Sequence, residues 1–167
     1  NSAQSAAISR VPTQTLCSIN INPPTLSIVA GFSRRMAVNG RSGAGCTTNV
    51  TNIIPETFSL TNQIGSATRI GSNGILFSAQ KKTTGTLTVN VGTFSAQSAI
   101  TVSGGTLATI QILDTNSLPI SGALEIPPGG LQYQFDVVGY DAFGNRINIL
   151  PNWSTTGQAG SFTSATS

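Results

Sequence analysis

The sequence contains no histidine, and only 8% of its 167 residues are charged, against about a quarter in an average soluble domain. Without histidine there is no His-based catalytic triad, His general base or His metal ligand. The carboxylates are equally few: Glu56, Asp114, Glu125, Asp136 and Asp141. The sequence therefore predicts no catalytic residues, no cofactor and no metal, and a structural or binding protein rather than an enzyme.

Long apolar runs are also missing. No stretch approaches the roughly 20 apolar residues that a membrane helix needs, so we expect no membrane insertion of this segment. Hydrophobic residues still make up 38% of the chain, which is too many for a disordered tail, while 20 serines and 22 threonines supply polarity without charge. The chain should fold around a core built from short segments.

Charge is unevenly distributed. Residues 1–103 contain seven basic residues and one acidic residue, whereas residues 104–167 contain one basic and four acidic residues, so the two parts carry +6 and −3. Nucleic-acid binding favours a dense basic patch interleaved with aromatic residues. Here aromatic residues are only 6% and the basic residues are scattered, so we expect no nucleic-acid partner.

Only two cysteines are present, Cys17 and Cys46. Two thiols without histidine make a poor zinc site, since structural zinc usually takes four ligands. We predict a Cys17–Cys46 disulfide in a secreted protein, with two buried free thiols as the alternative. The sequons that begin at Asn49 and Asn152 permit N-glycosylation if the source organism has that machinery.

Apolar and polar residues alternate with a period of two. Leu87, Val89 and Val91 fall on one face of a predicted strand, and residues 108–112 and 132–137 show the same pattern. Gly- and Pro-rich turns separate such runs, and no segment has a convincing helical period. The pattern predicts an all-β sandwich, with Phe135 and Trp153 in the core of its later part.

The chain repeats itself with an offset near 93 residues, the size of one small sandwich domain. Residues 2–6 recur letter for letter as 95–99, and residues 15–21 resemble 106–112. We therefore predict three parts: a stray last strand with a linker over 1–14, a complete domain over 15–103, and a second domain over 104–167 that lacks its last strands.

Several segments resemble a known family: TLSIVAG at 25–31, GSNGILFSA at 71–79, GTLTV at 85–89 and SAITV at 98–102, with GYDAFGN at 139–145. They are similar to the bacterial immunoglobulin-like repeats, tandem modules of cell-surface proteins such as intimin- and invasin-type adhesins. The resemblance implies tandem Ig-like β-sandwiches at the cell surface and no enzymatic activity. Phe58 stands where a tryptophan is common, and the cysteine pair is not a family hallmark.

Two hypotheses follow for an extracellular structural or adhesive protein whose partners are copies of itself or further Ig-like repeats. The chain is either part of a longer array or a subunit of a pilus-like filament. In the filament, residues 2–9 of one copy, with apolar Ala3, Ala6 and Ile8, donate a strand to the unfinished domain of the next. The alternative is a carbohydrate- or receptor-binding module of a larger secreted protein, with surface glycans or a host receptor as partner.

The segment 141–145 suggests a calcium loop through Asp141, Asn145 and Asp136. Calcium usually takes six or more oxygen ligands. A turn in which Asp141 accepts hydrogen bonds from backbone N–H groups explains the same residues more simply, and we favour it.

Overall fold

A computed structural model of this chain describes residues 15–51, 53–127, 129, 132–157 and 160–163. These residues form β-strands joined by turns, with one 3-10 turn at Ala44–Cys46, so the predicted all-β class is confirmed. The chain divides into two compact units between Ser103 and Gly104.

The first unit is a sandwich of two sheets. Its described strands are β1 (Leu16–Asn22), β2 (Thr25–Val29), β3 (Ser33–Ser42), β4 (Thr48–Val50), β5 (Thr57–Leu60), β6 (Gly65–Ile70), β7 (Gly74–Ala79), β8 (Thr84–Val91) and β9 (Phe94–Ser103). One sheet has the order β1–β3–β7–β6, with β4 also paired to β3, and the other has the order β2–β9–β8–β5.

Two prolines move the chain from one sheet to the other. Proline has no N–H to donate to a strand ladder, so β1 ends before Pro23 and Pro24. Before them β1 runs antiparallel to β3, and after them β2 runs parallel to β9 in the opposite sheet. Ser98 Oγ donates to the carbonyl oxygen of Pro23 at 2.9 Å, and the Ala99 N–H donates to that of Pro24 at 3.0 Å. These bonds fix the crossing against β9.

Alternate residues of both sheets build the core. Each of the following side chains is at most 2% exposed: Met36, Val38, Ile75 and Phe77 in the first sheet, and Leu87, Val89, Ile100 and Val102 in the second. Because successive side chains of a strand point to opposite faces, the residues between them point outward. The period-two pattern read from residues 86–91 is the pattern of β8.

The second unit contains one described sheet of three antiparallel strands, β10 (Leu107–Leu113), β11 (Asp136–Asp141) and β12 (Arg146–Ile147), in that order. After β10 the chain turns at Asp114, whose Oδ1 accepts hydrogen bonds from the N–H groups of Asn116 and Leu118 at 2.8 and 2.9 Å. The turn lets Leu113 form an isolated antiparallel bridge with Pro119.

The strand pair β10–β11 repeats the geometry of β1–β3. In the first unit the pairing register shifts between Leu16 and Ser18, and in the second unit it shifts between Leu107 and Thr109. A bulge adds one residue to a strand and increases its local twist. The repeat seen in the sequence therefore extends to a bulge at the same position of both copies.

A glycine occupies the equivalent position of the strand pair in both units. Gly40 pairs with Ile19 on β1, and Gly139 pairs with Ile110 on β10. A Cβ at either glycine would collide with the leucine that opens the neighbouring strand and with an isoleucine from a later loop, Ile53 or Ile149. The close approach of these side chains favours glycine at both places, because a larger residue would force the leucine and isoleucine ends to shift.

Candidate functional site

The first strand of the second unit leaves apolar side chains uncovered. Ile110 is 58% exposed and Ile112 is 43% exposed, whereas Ile21, the counterpart of Ile112 by strand register, is only 2% exposed. In the first unit the second sheet covers this surface. The described residues of the second unit form no such second sheet. We call the surface of Leu107, Ile110 and Ile112 the open face.

Three aromatic rings supply part of the apolar packing of the second unit. The ring centroids of Phe135, Trp153 and Phe162 lie 5.4 to 6.4 Å apart, with tilted or edge-on geometry. Phe135 and Trp153, which the sequence predicts as core residues, thus contact each other but are only half-buried, and Phe162 is exposed. The rings still reach water because the described part of this unit has a single sheet.

Asp141 organises the turn between β11 and β12. Its carboxylate is buried, with Oδ1 accepting from the N–H groups of Phe143 and Asn145 at 2.9 Å. Oδ2 accepts from the N–H of Gly105 and from Asn145 Nδ2, both at 2.8 Å. The carboxylate therefore joins the turn to the residues that lead into β10.

These contacts decide the electrostatics of Asp141. Burial raises the pKa of its carboxyl group, but the hydrogen bonds from the Asn145 side chain and from the N–H groups of Gly105, Asn145 and Phe143 act in the opposite direction and lower the pKa below its ordinary value. A carboxylate has about four lone-pair positions, and four N–H donors already occupy them here. The arrangement matches the turn interpretation and leaves no oxygen of Asp141 for calcium.

The other carboxylate considered for calcium also has a local role. Asp136 Oδ1 accepts a hydrogen bond from the N–H of Val137 at 2.9 Å. Over the described residues there is no group of three or more His, Cys, Asp or Glu side chains that could hold a metal ion. In the same residues we find no helix with the length and hydropathy of a membrane span.

Cys17 and Cys46 form a disulfide, as the sequence predicts. Their Cα atoms lie 5.9 Å apart across a sequence separation of 29 residues. Cys17 occupies the bulge of β1, and Cys46 closes the 3-10 turn between β3 and β4. The bond therefore fixes the loop after β3 to the first strand of the sandwich.

The remaining predicted residues lie at surfaces or outside the described chain. Asn49 is exposed on β4, and Asn152 is exposed in the segment after β12, directly before Trp153. Both sequon asparagines are therefore accessible. Ala3, Ala6 and Ile8, the residues predicted to donate a strand, lie outside the described residues.

Sequence reasoning missed one surface of the first unit. On β3, Arg35, Asn39 and Arg41 point away from the core, since Met36, Val38 and Gly40 between them are buried. Asn20 and Asn22 of β1 and Asn49 of β4 pair with this outward row. We call these six residues the Arg–Asn face. The sequence signal is the placement of Arg35, Asn39 and Arg41 at alternate positions, with apolar Met36 and Val38 between them.

Comparison with known proteins gives a likeness in architecture only. No protein-family model and no curated protein matches this chain. Among solved structures, it is similar to domains 5-6 of the S-layer protein SbsC, with 19% identity, a TM-score of 0.44, and coverage of 81% of this chain and 67% of that one. It is also similar to domains 4-9 of SbsC, with 20% identity, a TM-score of 0.41, and coverage of 81% of this chain but 21% of that one.

Proposed function

We propose that this protein is a non-enzymatic structural protein of the cell surface, built of Ig-like repeats, whose copies join at the open face of the second unit. Its own residues support the proposal. The described chain holds a repeated β-architecture and a disulfide, which is typical of oxidising, extracellular compartments. Its buried carboxylate, Asp141, serves a turn rather than chemistry.

The open face is the observation that carries the proposal. The same strand pair occurs twice in the chain: Ile21 is buried and Ile19 half-buried in the first unit, whereas Ile112 and Ile110 are exposed in the second. Burial of apolar surface contributes about 25 cal/mol per Å². A partner that covers Ile110 and Ile112 as the second sheet covers Ile21 would therefore bind with a favourable hydrophobic contribution.

The proposed partner is residues 2–9 of a second copy. Residues 2–6 have the same sequence as residues 95–99 of β9, and β9 packs against β1 inside the first unit. On β9 the residues that match Ala3 and Ser5 are half-buried Ala96 and buried Ser98, whereas Ala99, the match of Ala6, is exposed. A donated strand in the same orientation would therefore turn Ala3 and Ser5 toward the open face, with Ala6 and Ile8 on its other side. Residues 1–103 carry +6 and residues 104–167 carry −3, which favours head-to-tail contact. Such a heterologous contact builds a filament.

Light scattering and electron microscopy of the purified full chain at low salt test this function. We expect assembly by the full chain and none by a variant that lacks residues 1–12. On the acceptor side, Ile110→Asp should abolish assembly because it buries a charge in the contact. Gln111→Asp is the matched control: it adds the same charge to the opposite face of the same strand and should leave assembly intact.

Two results would contradict strand donation. One is a full chain that stays monomeric at high concentration and low salt, and the other is a truncated chain that assembles as before. A monomeric full chain would favour the array hypothesis, in which further repeats of the same polypeptide cover the open face. The alternative function, a carbohydrate-binding module, depends on the Arg–Asn face and not on the open face.

A further inference from the structure

The Arg–Asn face presents a row of groups along β3. Arg35 and Arg41 are six residues apart on the same side of the strand, which corresponds to about 20 Å at roughly 3.3 Å per residue. Asn39 lies between them. A ligand that contacts both guanidinium groups must be extended, and a repeating polymer meets that requirement better than a small molecule.

Amide side chains surround this row. The strand register places Asn20 beside Asn39 and places Asn49 beside Arg41, while Asn22 lies beside Ala37. Carboxamides both donate and accept hydrogen bonds. They therefore suit a ligand that carries hydroxyl groups, each of which is both a donor and an acceptor.

Two shallow clefts lie along the face. The first is lined by Asn20, Asn39, Gly40, Arg41, Asn49, Val50 and Thr51, and the second by Asn22, Pro23, Ser33, Arg34, Arg35 and Ala37. Each cleft thus combines at least one guanidinium with at least one carboxamide, and neither lining includes an aromatic ring. Binding of single-stranded nucleic acid depends on stacking of bases on such rings, so this face does not favour it.

The charge of the face has one sign. The acidic residue of the first unit is Glu56, which precedes β5 in the opposite sheet, so no carboxylate of the described first unit lies on the Arg–Asn face. The Arg35 side chain lies along the surface of the sheet, over Gly74 of β7: a Cβ built at Gly74 would come within 3.1 Å of the Arg35 Nε atom. The two guanidinium groups are therefore available to anions approaching from solvent.

We propose that the Arg–Asn face binds an anionic polysaccharide. The planar guanidinium of Arg35 or Arg41 matches a carboxylate or sulfate group in a two-point contact, and the asparagines take the sugar hydroxyls. Because the face belongs to the first unit, the proposal is independent of the open face of the second unit and of self-assembly.

Isothermal titration of the full chain, made in a host without N-glycosylation because Asn49 lines a cleft, tests the proposal. The probes are polygalacturonate, which carries carboxylates, dextran sulfate, which carries sulfates, uncharged dextran, and a single-stranded DNA oligonucleotide. We expect one or both of the polyanionic sugars to bind, and which of them binds identifies the anionic group. Uncharged dextran should not bind, and DNA should bind more weakly.

Paired variants separate this face from general charge attraction. Arg35→Gln with Arg41→Gln should weaken sugar binding by about tenfold or more, because each lost contact is a hydrogen bond to a charged group. The control, Arg69→Gln with Lys81→Gln, removes the same charge elsewhere in the unit and should change affinity by less than about threefold. Asn39→Asp, which adds a negative charge at the centre of the face, should also weaken binding.

Three outcomes would overturn the proposal. They are no binding of either polyanionic sugar, an equal loss in the two double variants, and binding of DNA at least as tight as that of the sugars. The substituted arginines are exposed, so the unfolding midpoint of the Arg35→Gln, Arg41→Gln variant should equal that of the parent chain. If the unfolding midpoint of this double variant falls, the loss of sugar binding expected for Asn39→Asp tests the face instead.

Discussion

Asn145 binds both oxygens of the Asp141 carboxylate: its backbone N–H donates to Oδ1 at 2.9 Å and its side-chain Nδ2 donates to Oδ2 at 2.8 Å. One residue thus contacts the buried carboxylate from two sides. The same carboxylate holds Gly105, which precedes β10. The Asp141 carboxylate therefore holds together the turn after β11 and the start of β10.

Asp141→Asn should destabilise the second unit by about 1–3 kcal/mol, because the amide presents donors to N–H groups that need an acceptor. Urea unfolding followed by the fluorescence of Trp153, the single tryptophan, reports on this unit. Asp136→Asn is the matched control and should cost less, since Asp136 accepts one hydrogen bond from its neighbour Val137. Equal costs for the two variants would contradict the role assigned to Asp141.

The second unit should also lose stability in acid. The folded-state pKa of Asp141 is lowered, so its contribution is fully present above the unfolded-state pKa, about 3.9, and is lost as the pH falls through the folded-state value. The difference in unfolding free energy between the parent and Asp141→Asn should therefore be constant near neutral pH and shrink below about pH 4. A difference that grows on acidification would contradict the sign.

Loss of the Cys17–Cys46 bond should destabilise the first unit. The bridge closes a segment of 29 residues, so replacing both cysteines by serine should cost about 3–4 kcal/mol in the chain-entropy account. Urea unfolding followed by circular dichroism measures the change. Thiol titration of the unfolded, unreduced parent should find no free thiol, and two free thiols would contradict the bond.

The same substitution should have unequal effects in the two units. Phe77→Ala removes a fully buried ring from the first unit and should cost about 3–5 kcal/mol. Phe162→Ala removes a ring that is 42% exposed, so it should cost less, about 1–2 kcal/mol from its contacts with Phe135 and Trp153. Urea unfolding of both variants compares them. Equal costs would mean that the rings of the second unit are covered in solution.

Local pattern predicts part of this fold. The alternation of Leu87, Val89 and Val91 identified a strand because a strand's two faces differ within a few residues. The recurrence of residues 15–21 as 106–112 anticipated a second copy of the same strand, and the bulges directly after Leu16 and Leu107 extend that likeness.

The pairing of strands that are far apart in the chain could not be predicted from the sequence. No local pattern near Pro23 indicates that β2 pairs with β9, whose partner residues lie more than 70 positions later. The open face was also hidden, since Ile112 and Ile21 have the same local pattern and differ only in what covers them. The Arg–Asn face needs the register of three strands before Asn20, Arg41 and Asn49 come together.

The parallel pairing of β2 with β9 has a mechanical consequence. Their ladder runs from Thr25 beside Ala99 to Val29 beside Ser103, and β9 is the strand by which the chain leaves the first unit. Tension applied between the residues before β2 and those after β9 pulls the two strands in opposite directions along their length. The ladder bonds then bear the load together in shear instead of opening one after another, so the first unit should resist stretching more strongly than its thermodynamic stability alone indicates.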